Sequence, residues 1–210
     1  MTDITFIMGA NATGKSTRMK ALVDFLGSSY RDYEYTFFDT KKDKTRTINI
    51  GRFYPDTGFL ILGSEAKNHA GWVCLDKADL STQDMRTDFY KHVINNDKQV
   101  KRIFVEGYFN TVSPRSRPNF LKQTGFNRID CFYMFYDTPE DYLARTSARA
   151  GHDKDLDWAV NSAGWKDNLG FSRAYDKCMN SNEYEPNNGK NVERIDNDAS
   201  REFLVERYCE

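Results

Sequence analysis

The sequence predicts an α/β fold in which helices cover a five-stranded parallel sheet. Five short β-like runs alternate with helical patterns along the 210 residues, and this alternation is typical of a parallel sheet. The third and fourth runs are mostly apolar, as strands covered on both faces should be, whereas the second and fifth are mixed and should lie toward the sheet edges. The five runs span residues 4–8, 33–39, 102–106, 129–136 and 192–196. We expect the strand order 2-3-1-4-5.

A glycine-rich segment follows the first run. Residues 9–16 read Gly-Ala-Asn-Ala-Thr-Gly-Lys-Ser and match the P-loop pattern G-x-x-x-x-G-K-S/T, in which successive backbone N–H groups wrap a phosphate. Gly9 and Gly14 supply the conformational freedom and close approach that such a loop needs. Lys15 is expected to reach the β and γ phosphates of a nucleotide, and Ser16 to place its hydroxyl on Mg²⁺. The predicted nucleotide-binding residues are Gly9, Asn11, Ala12, Thr13, Gly14, Lys15, Ser16 and Thr17.

A helix is predicted directly after this loop. Met19, Leu22, Val23 and Leu26 follow the spacing of one helix face, and Gly27 is a typical helix end. Strand, loop and helix therefore occur in the order that a nucleoside triphosphate site requires, with the positive end of the helix dipole facing the phosphates. The expected architecture is a three-layer αβα sandwich of the P-loop NTPase type.

Two further segments complete the predicted domain. Residues 45–54 and 59–63 flank a Pro-Asp-Thr-Gly turn, which indicates a β-hairpin insertion over residues 45–63. Thr138 followed by Pro139 is a typical helix start. Residues 139–180 are predicted to form a helical lid region with interruptions at Gly164 and Gly170.

Two carboxylates end predicted strands. Asp39 ends the second run, at the edge of the sheet where ligand-contacting residues lie, and we predict that it is the general base that accepts a proton from an acceptor hydroxyl. The alternative is an ordinary Asp in a turn. Glu106 ends the third run, where an acid could hold a magnesium-bound water or position the acceptor. Tyr108 and Phe109 follow it and could stack on a ring, although they could equally be core residues.

Pairs of arginines provide candidate phosphate ligands. Arg145 and Arg149 lie four residues apart on one predicted helix, so both could face the transferring phosphate and stabilise its charge; a solvated helix face is the alternative. Arg115 and Arg117, after the third strand, could grip acceptor phosphates, as could the basic residues of segment 41–46. Loop charges of this kind are as often solvated surface.

Composition limits the classes of partner. The formal charge of −1, from 30 basic and 31 acidic residues, provides no overall attraction to nucleic acid or to an anionic membrane, so a polyanion must be bound locally. No apolar stretch approaches the length of a membrane span, and we see no export signal, so we expect one cytoplasmic domain. The spacing of the four cysteines suggests neither a zinc site nor disulfides.

The P-loop, Asp39, Glu106 and the arginine pair together resemble the P-loop kinases of the nucleotide, shikimate and polynucleotide kinase group. Residues 104–109 (Phe-Val-Glu-Gly-Tyr-Phe), 136–143 (Tyr-Asp-Thr-Pro-Glu-Asp-Tyr-Leu) and 164–166 (Gly-Trp-Lys) resemble phage kinases of 5-hydroxymethyluracil in DNA. This resemblance implies ATP, Mg²⁺, a modified pyrimidine in DNA as acceptor, base flipping, and the host cytoplasm as location. It also implies an adenine contact from residues 197–199.

Two alternatives remain open at this stage. One is a kinase of a free nucleotide, a nucleic-acid 5′ end or a small metabolite. The other is an ATPase or nucleotide-switch module that phosphorylates no acceptor. ATP turnover without any acceptor would favour the second alternative.

Overall fold

The computed structural model describes residues 1–39, 43–65, 72–73, 80, 83–106, 125–151, 153–180 and 190–209. Its strands are β1 (Asp3–Gly9), β2 (Arg31–Asp39), β3 (Lys44–Tyr54), β4 (Phe59–Leu62), β5 (Ser64–Glu65), β6 (Trp72–Val73), β7 (Arg102–Glu106), β8 (Ile129–Met134) and β9 (Lys190–Arg194). Seven of them form one sheet in the order β2-β3-β4-β7-β1-β8-β9, and β5 and β6 form a separate pair. The fold is therefore α/β, as predicted.

The expected count of five strands is wrong. The hairpin predicted as an insertion is part of the main sheet: β4 pairs parallel with β7, and β3 runs antiparallel between β2 and β4. The physical reason is that β4 is apolar throughout, so it is most stable where both faces are covered. The other five predicted strands keep their expected relative order, and the mixed strands β2 and β9 form the two edges.

Helices pack on both faces of this sheet. Their bounds are α1 (Lys15–Leu26), α2 (Gln83–Asn96), α3 (Pro139–Ala150), α4 (Leu156–Asn161), α5 (Ala163–Met179) and α6 (Phe203–Tyr208). Alternate residues of β1 point to opposite faces: Ile4 and Phe6 pack in the cluster that includes α2 and α5, whereas Ile7 packs with α1 and α6. The inner strands are consequently buried from both sides.

The predicted helix signals are confirmed where the structure describes them. Gly27 caps the C-terminus of α1, and the Thr138 side chain accepts a hydrogen bond from the backbone N–H of Asp141 at the start of α3. The predicted interruptions at Gly164 and Gly170 are wrong, because α5 runs through both glycines. The break lies at Ser162, whose hydroxyl caps α5 by accepting from the Trp165 N–H.

A buried ionic network joins the strands at the end of the sheet where β1, β7 and β8 begin. Arg102 donates to Asp130 at 2.6 Å, to Asp3 at 2.7 Å and to the Thr5 hydroxyl at 2.9 Å. Asp130 is 1% exposed and also accepts from Arg128. Since this network lies at the opposite end of β7 from Glu106, it provides a test of stability separate from the candidate site.

Arg102→Met should lower the free energy of unfolding by about 3 kcal/mol, because it leaves the buried Asp130 carboxylate with too few charged partners. Urea denaturation measures this loss. The matched control is Arg128→Met: the Arg128 side chain is 48% exposed, and its removal should cost about 1 kcal/mol or less. Equal losses in the two variants would contradict the assigned importance of the Arg102 contact.

No helix in the described part of the chain is long and apolar enough to cross a bilayer. Among the described residues, Cys131 and Cys178 are buried and Cys209 is half-buried. Cys74 lies outside that part of the chain.

Candidate active site at the loop between β1 and α1

The loop that joins β1 to α1 passes very close to β8. A β-carbon added to Gly9 would lie 2.1 Å from the Met134 carbonyl oxygen, so only glycine fits there. Gly14 has a φ of 88°, in the left-handed region, and a β-carbon on it would lie 2.7 Å from Arg18 Nη1. The loop therefore has the tight backbone path that the P-loop pattern requires, and its geometry suits a phosphate ligand.

Carbonyl groups in the first half of the loop accept hydrogen bonds from nearby side chains. The Ala10 carbonyl accepts from Lys15 Nζ at 2.6 Å and from Thr13 Oγ1 at 2.9 Å. The Ala12 carbonyl accepts from the Tyr136 hydroxyl at 2.7 Å. These donors partly neutralise the negative ends of the carbonyl dipoles. The loop therefore repels a bound anion less. Lys15 therefore reaches across the loop from the start of α1, and its contact with a phosphate stays a prediction.

Ser16 and Glu106 contact each other directly. Ser16 Oγ donates to Glu106 Oε1 at 2.6 Å, and Glu106 is 5% exposed at the end of β7. The contact follows from sheet register, since Ile7 of β1 pairs with Glu106 immediately before the loop begins. A hydroxyl and a carboxylate are oxygen ligands of the kind that Mg²⁺ prefers, with nucleotide phosphates and waters completing its octahedron. These two residues fit the predicted magnesium site.

Arg18 is a buried residue of the site that the sequence reasoning missed. The residue is 3% exposed, and its guanidinium reaches the Thr13 and Gly14 carbonyls on one side and the carbonyls of the segment after β9 on the other. The contacts in that segment are Asp196 at 3.2 Å, Asn197 at 3.4 Å and Ala199 at 2.5 Å. Burial lowers the Arg18 pKa from its usual value. The sequence does contain a signal for it, because Arg18 lies four residues before Leu22 and so on the predicted buried face of α1.

The two arginines of α3 have different neighbours. Arg145 forms an ion pair with Asp198, in the segment after β9. Arg149 lines a cavity beside Asn11 and Ala12 of the loop. The helix is thus confirmed, and both arginines lie near enough to Tyr136 to influence the pKa of that side chain. Arg149 is the member of the pair that lines the cavity beside the loop.

The structure places Asp39 away from the loop. Strands β3 and β4 separate β2 from β7, so the direct pairing of the second and third predicted strands, on which its placement depended, is wrong. Four strand spacings of about 4.8 Å put β2 roughly 19 Å from β1. Asp39 is 6% exposed and accepts from Arg46 Nη1 at 3.1 Å. Its role as a base remains a prediction.

Comparison with known proteins assigns the chain to a family. The family model for 5-hmdU DNA kinase 2 matches residues 1–206. The chain belongs to the 5-hmdU DNA kinase 2 family. It is also similar to a 5-hmdU DNA kinase 2 from Salmonella phage ViI, with 24% identity over 184 residues that cover 84% of this chain. The chain spans 56% of the length of that relative. The family resemblance inferred from the sequence is thus confirmed.

Several residues predicted for acceptor binding in this 5-hmdU DNA kinase 2 family member lie outside the described part of the chain. They are Tyr108, Phe109, Arg115 and Arg117, together with Lys41 and Lys42 of the first basic segment. Their roles stay predictions. Lys44 and Arg46 are described, and Arg46 pairs with Asp39.

Arg18→Met should lower the free energy of unfolding by about 1–3 kcal/mol, because five carbonyl groups lose their shared donor. Amide hydrogen exchange should quicken more in residues 196–199 than in β1. Lys20→Met on the same helix is the control: within the described residues its ion pair is with the exposed Asp24, and we expect a change below about 0.5 kcal/mol. Uniform acceleration of exchange would refute the local coupling.

The Tyr136 hydroxyl provides a pH test of the loop contact. Burial raises the pKa of Tyr136 from 10.0 to about 12, so the folded protein keeps this proton over a range where the unfolded chain releases it. The stabilisation is complete below pH 10 and is lost as pH rises toward 12. Tyr136→Phe should be less stable than wild type by about 1 kcal/mol at neutral pH.

That difference between wild type and Tyr136→Phe should shrink as pH rises from 10 to about 12, and urea denaturation at several pH values measures it. The phenylalanine variant removes only this titration, so the other raised tyrosine pKa values cancel in the comparison. A difference that stays constant up to pH 12 would disprove the assignment.

Proposed function

We propose that this protein is an ATP- and Mg²⁺-dependent kinase that transfers the γ-phosphate to the hydroxymethyl oxygen of 5-hmdU in DNA. The observation that carries the proposal is the loop of residues 9–16 with Ser16 on Glu106, in a chain that belongs to the 5-hmdU DNA kinase 2 family. This arrangement supports assignment of the sheet to the P-loop NTPase class. Action in the cytoplasm of an infected host follows from the same proposal.

The donor half of the site consists of the loop and its charged residues. The backbone N–H groups of residues 11–17 and the start of α1 would bind the triphosphate, with Lys15 on its outer phosphates. Ser16 would bind Mg²⁺ directly and Glu106 would hold one of its waters; the ion would supply positive charge at the phosphate oxygens. Arg149, next to Asn11, would add a second positive charge as the phosphoryl group transfers. Arg145 lies toward the segment after β9, on the predicted adenine side.

The reaction is a substitution at phosphorus. The acceptor hydroxyl oxygen forms the new O–P bond, the bond from the γ phosphorus to the bridging oxygen breaks, and ADP leaves with that electron pair. The hydroxyl proton passes to a carboxylate. A general base must lie within about 2.6–3.2 Å of the hydroxyl or one water away, and Glu106 is the described carboxylate beside Ser16. Asp39 would need an acceptor that extends to the edge strand.

Labelled γ-phosphate transfer tests the proposal. The acceptors are DNA containing 5-hydroxymethyluracil, ordinary DNA with free 5′ hydroxyls, and a panel of mononucleotides. We expect label in the first alone. Label in ordinary DNA or in a mononucleotide would show that the acceptor is not 5-hydroxymethyluracil. ATP hydrolysis without any transfer would favour a nucleotide-switch module.

Variants of the same assay test the residues. Lys15→Ala should abolish transfer to every acceptor, whereas the control Lys20→Ala on the same helix should retain it. Glu106→Gln should lower kcat by about 10²–10⁴-fold, and Asp39→Asn should lower it much less. A larger loss with Asp39→Asn than with Glu106→Gln, at unchanged ATP affinity, would restore Asp39 as the base.

A further inference from the structure

A cavity of about 680 Å³ opens between the phosphate loop and the helices beyond β8. Asn11 and Ala12 form one side, and residues of α3 and of the segment leading into α5 form the other. Its volume is within the range of roughly 300–1,000 Å³ typical of small-molecule sites. The cavity is therefore larger than one phosphate group needs, and it adjoins the loop that binds the donor.

One wall of the cavity carries a lysine fixed on an aromatic ring. Lys154 Nζ lies 3.7 Å from the ring centroid of Trp158, and Trp is the ring that attracts a cation most strongly. Trp158 in turn stacks on Tyr142, with ring centroids 6.2 Å apart and an interplanar angle of 4°. Tyr142 is 3% exposed. The ammonium is thus held at the cavity by a stack that rests on the buried core.

Two cations face this cavity, Lys154 and Arg149. In the part of the chain that the structure describes, neither forms an ion pair with a carboxylate, whereas Arg145 on the same helix pairs with Asp198. The nearby acid Asp155 is engaged as a helix cap, accepting from the Trp158 N–H at 2.7 Å. The cavity consequently offers positive charge beside the phosphate loop, which suits an anionic ligand.

We propose that Lys154, positioned by Trp158, forms with Arg149 a phosphate-binding subsite beside the donor loop. The phosphate comes from the backbone of the acceptor DNA or from the outer end of the donor triphosphate. The size of the cavity and its position beyond Asn11 and Ala12 favour the DNA backbone. Arg149, with five N–H donors, would then contact both this phosphate and the transferring one. The choice between a DNA phosphate and a triphosphate rests on the proposed function. The pair of cations and the aromatic stack are observed independently of it.

Equilibrium binding without turnover tests this subsite. Lys154→Met removes the charge, Lys154→Arg keeps it, and Lys177→Met on the exposed end of α5 is the control. Affinities for Mg²⁺·ATP and for a short duplex carrying 5-hydroxymethyluracil are measured between about 50 and 200 mM salt. If the phosphate belongs to DNA, Lys154→Met should weaken DNA binding about tenfold and reduce the slope of log K against log salt by about 0.9.

The ATP measurement tests the other possibility, that the phosphate belongs to the donor triphosphate. In that case Lys154→Met should weaken ATP binding about tenfold and leave the salt slope for DNA unchanged. In either case Lys154→Arg should recover most of the affinity, and Lys177→Met should match wild type. Trp158→Leu should weaken the same ligand by a smaller factor and Trp158→Phe by less still, since an aromatic face remains. A melting temperature for each variant confirms that it is folded.

Unchanged affinity of Lys154→Met for both ligands would overturn the subsite. If the wild type binds ATP but no DNA, only the ATP measurement tests the subsite. Unchanged ATP affinity of Lys154→Met then overturns the subsite. Failure of the proposed function is a separate result, because it appears as absent label transfer from the wild type. The binding comparison does not depend on that transfer.

Discussion

The candidate site depends on the parallel alignment of β7, β1 and β8. Register pairs Ile7 with Glu106 on one side and Gly9 with Met134 on the other. These pairings bring a carboxylate to the start of the loop and bring a carbonyl so close to Gly9 that no side chain fits. Since parallel strands end at one edge of a sheet, any groups that follow them meet there. The position of the loop is therefore fixed by the buried central strands of the sheet.

Two polar side chains hold the loop from different directions. Tyr136 donates to the Ala12 carbonyl from the end of β8, and Arg18 donates to the Thr13 and Gly14 carbonyls from within α1. Arg18 also reaches the segment after β9, where Asp198 pairs with Arg145. The loop of residues 9–16 and the segment predicted to contact adenine therefore share one donor. Because Arg18 is buried, its loss would leave carbonyl groups of both segments without this donor and without solvent in its place.

The distribution of charge is consistent with local binding of an anion by a protein of formal charge −1. Arg102 and Arg46 pair with buried carboxylates. Lys154 and Arg149 instead face the cavity, in the described part of the chain without a carboxylate partner. Cations in a recess bind an anion more strongly than the same charges on an exposed face, where solvent and salt screen them.

Sequence alone determined the features that depend on neighbouring residues. The glycines of residues 9–16, the Thr138 cap and the apolar spacing of α1 are local signals, because backbone freedom, capping and periodicity act within a few residues. The family resemblance followed from similar short motifs. Tertiary structure decided which strands adjoin, so it placed β3 and β4 between the strand of Asp39 and the strand of Glu106. It also decided the partners of Arg18, one of them 181 residues away, and it placed Lys154 on Trp158. Such contacts depend on how distant segments pack, which no local pattern specifies.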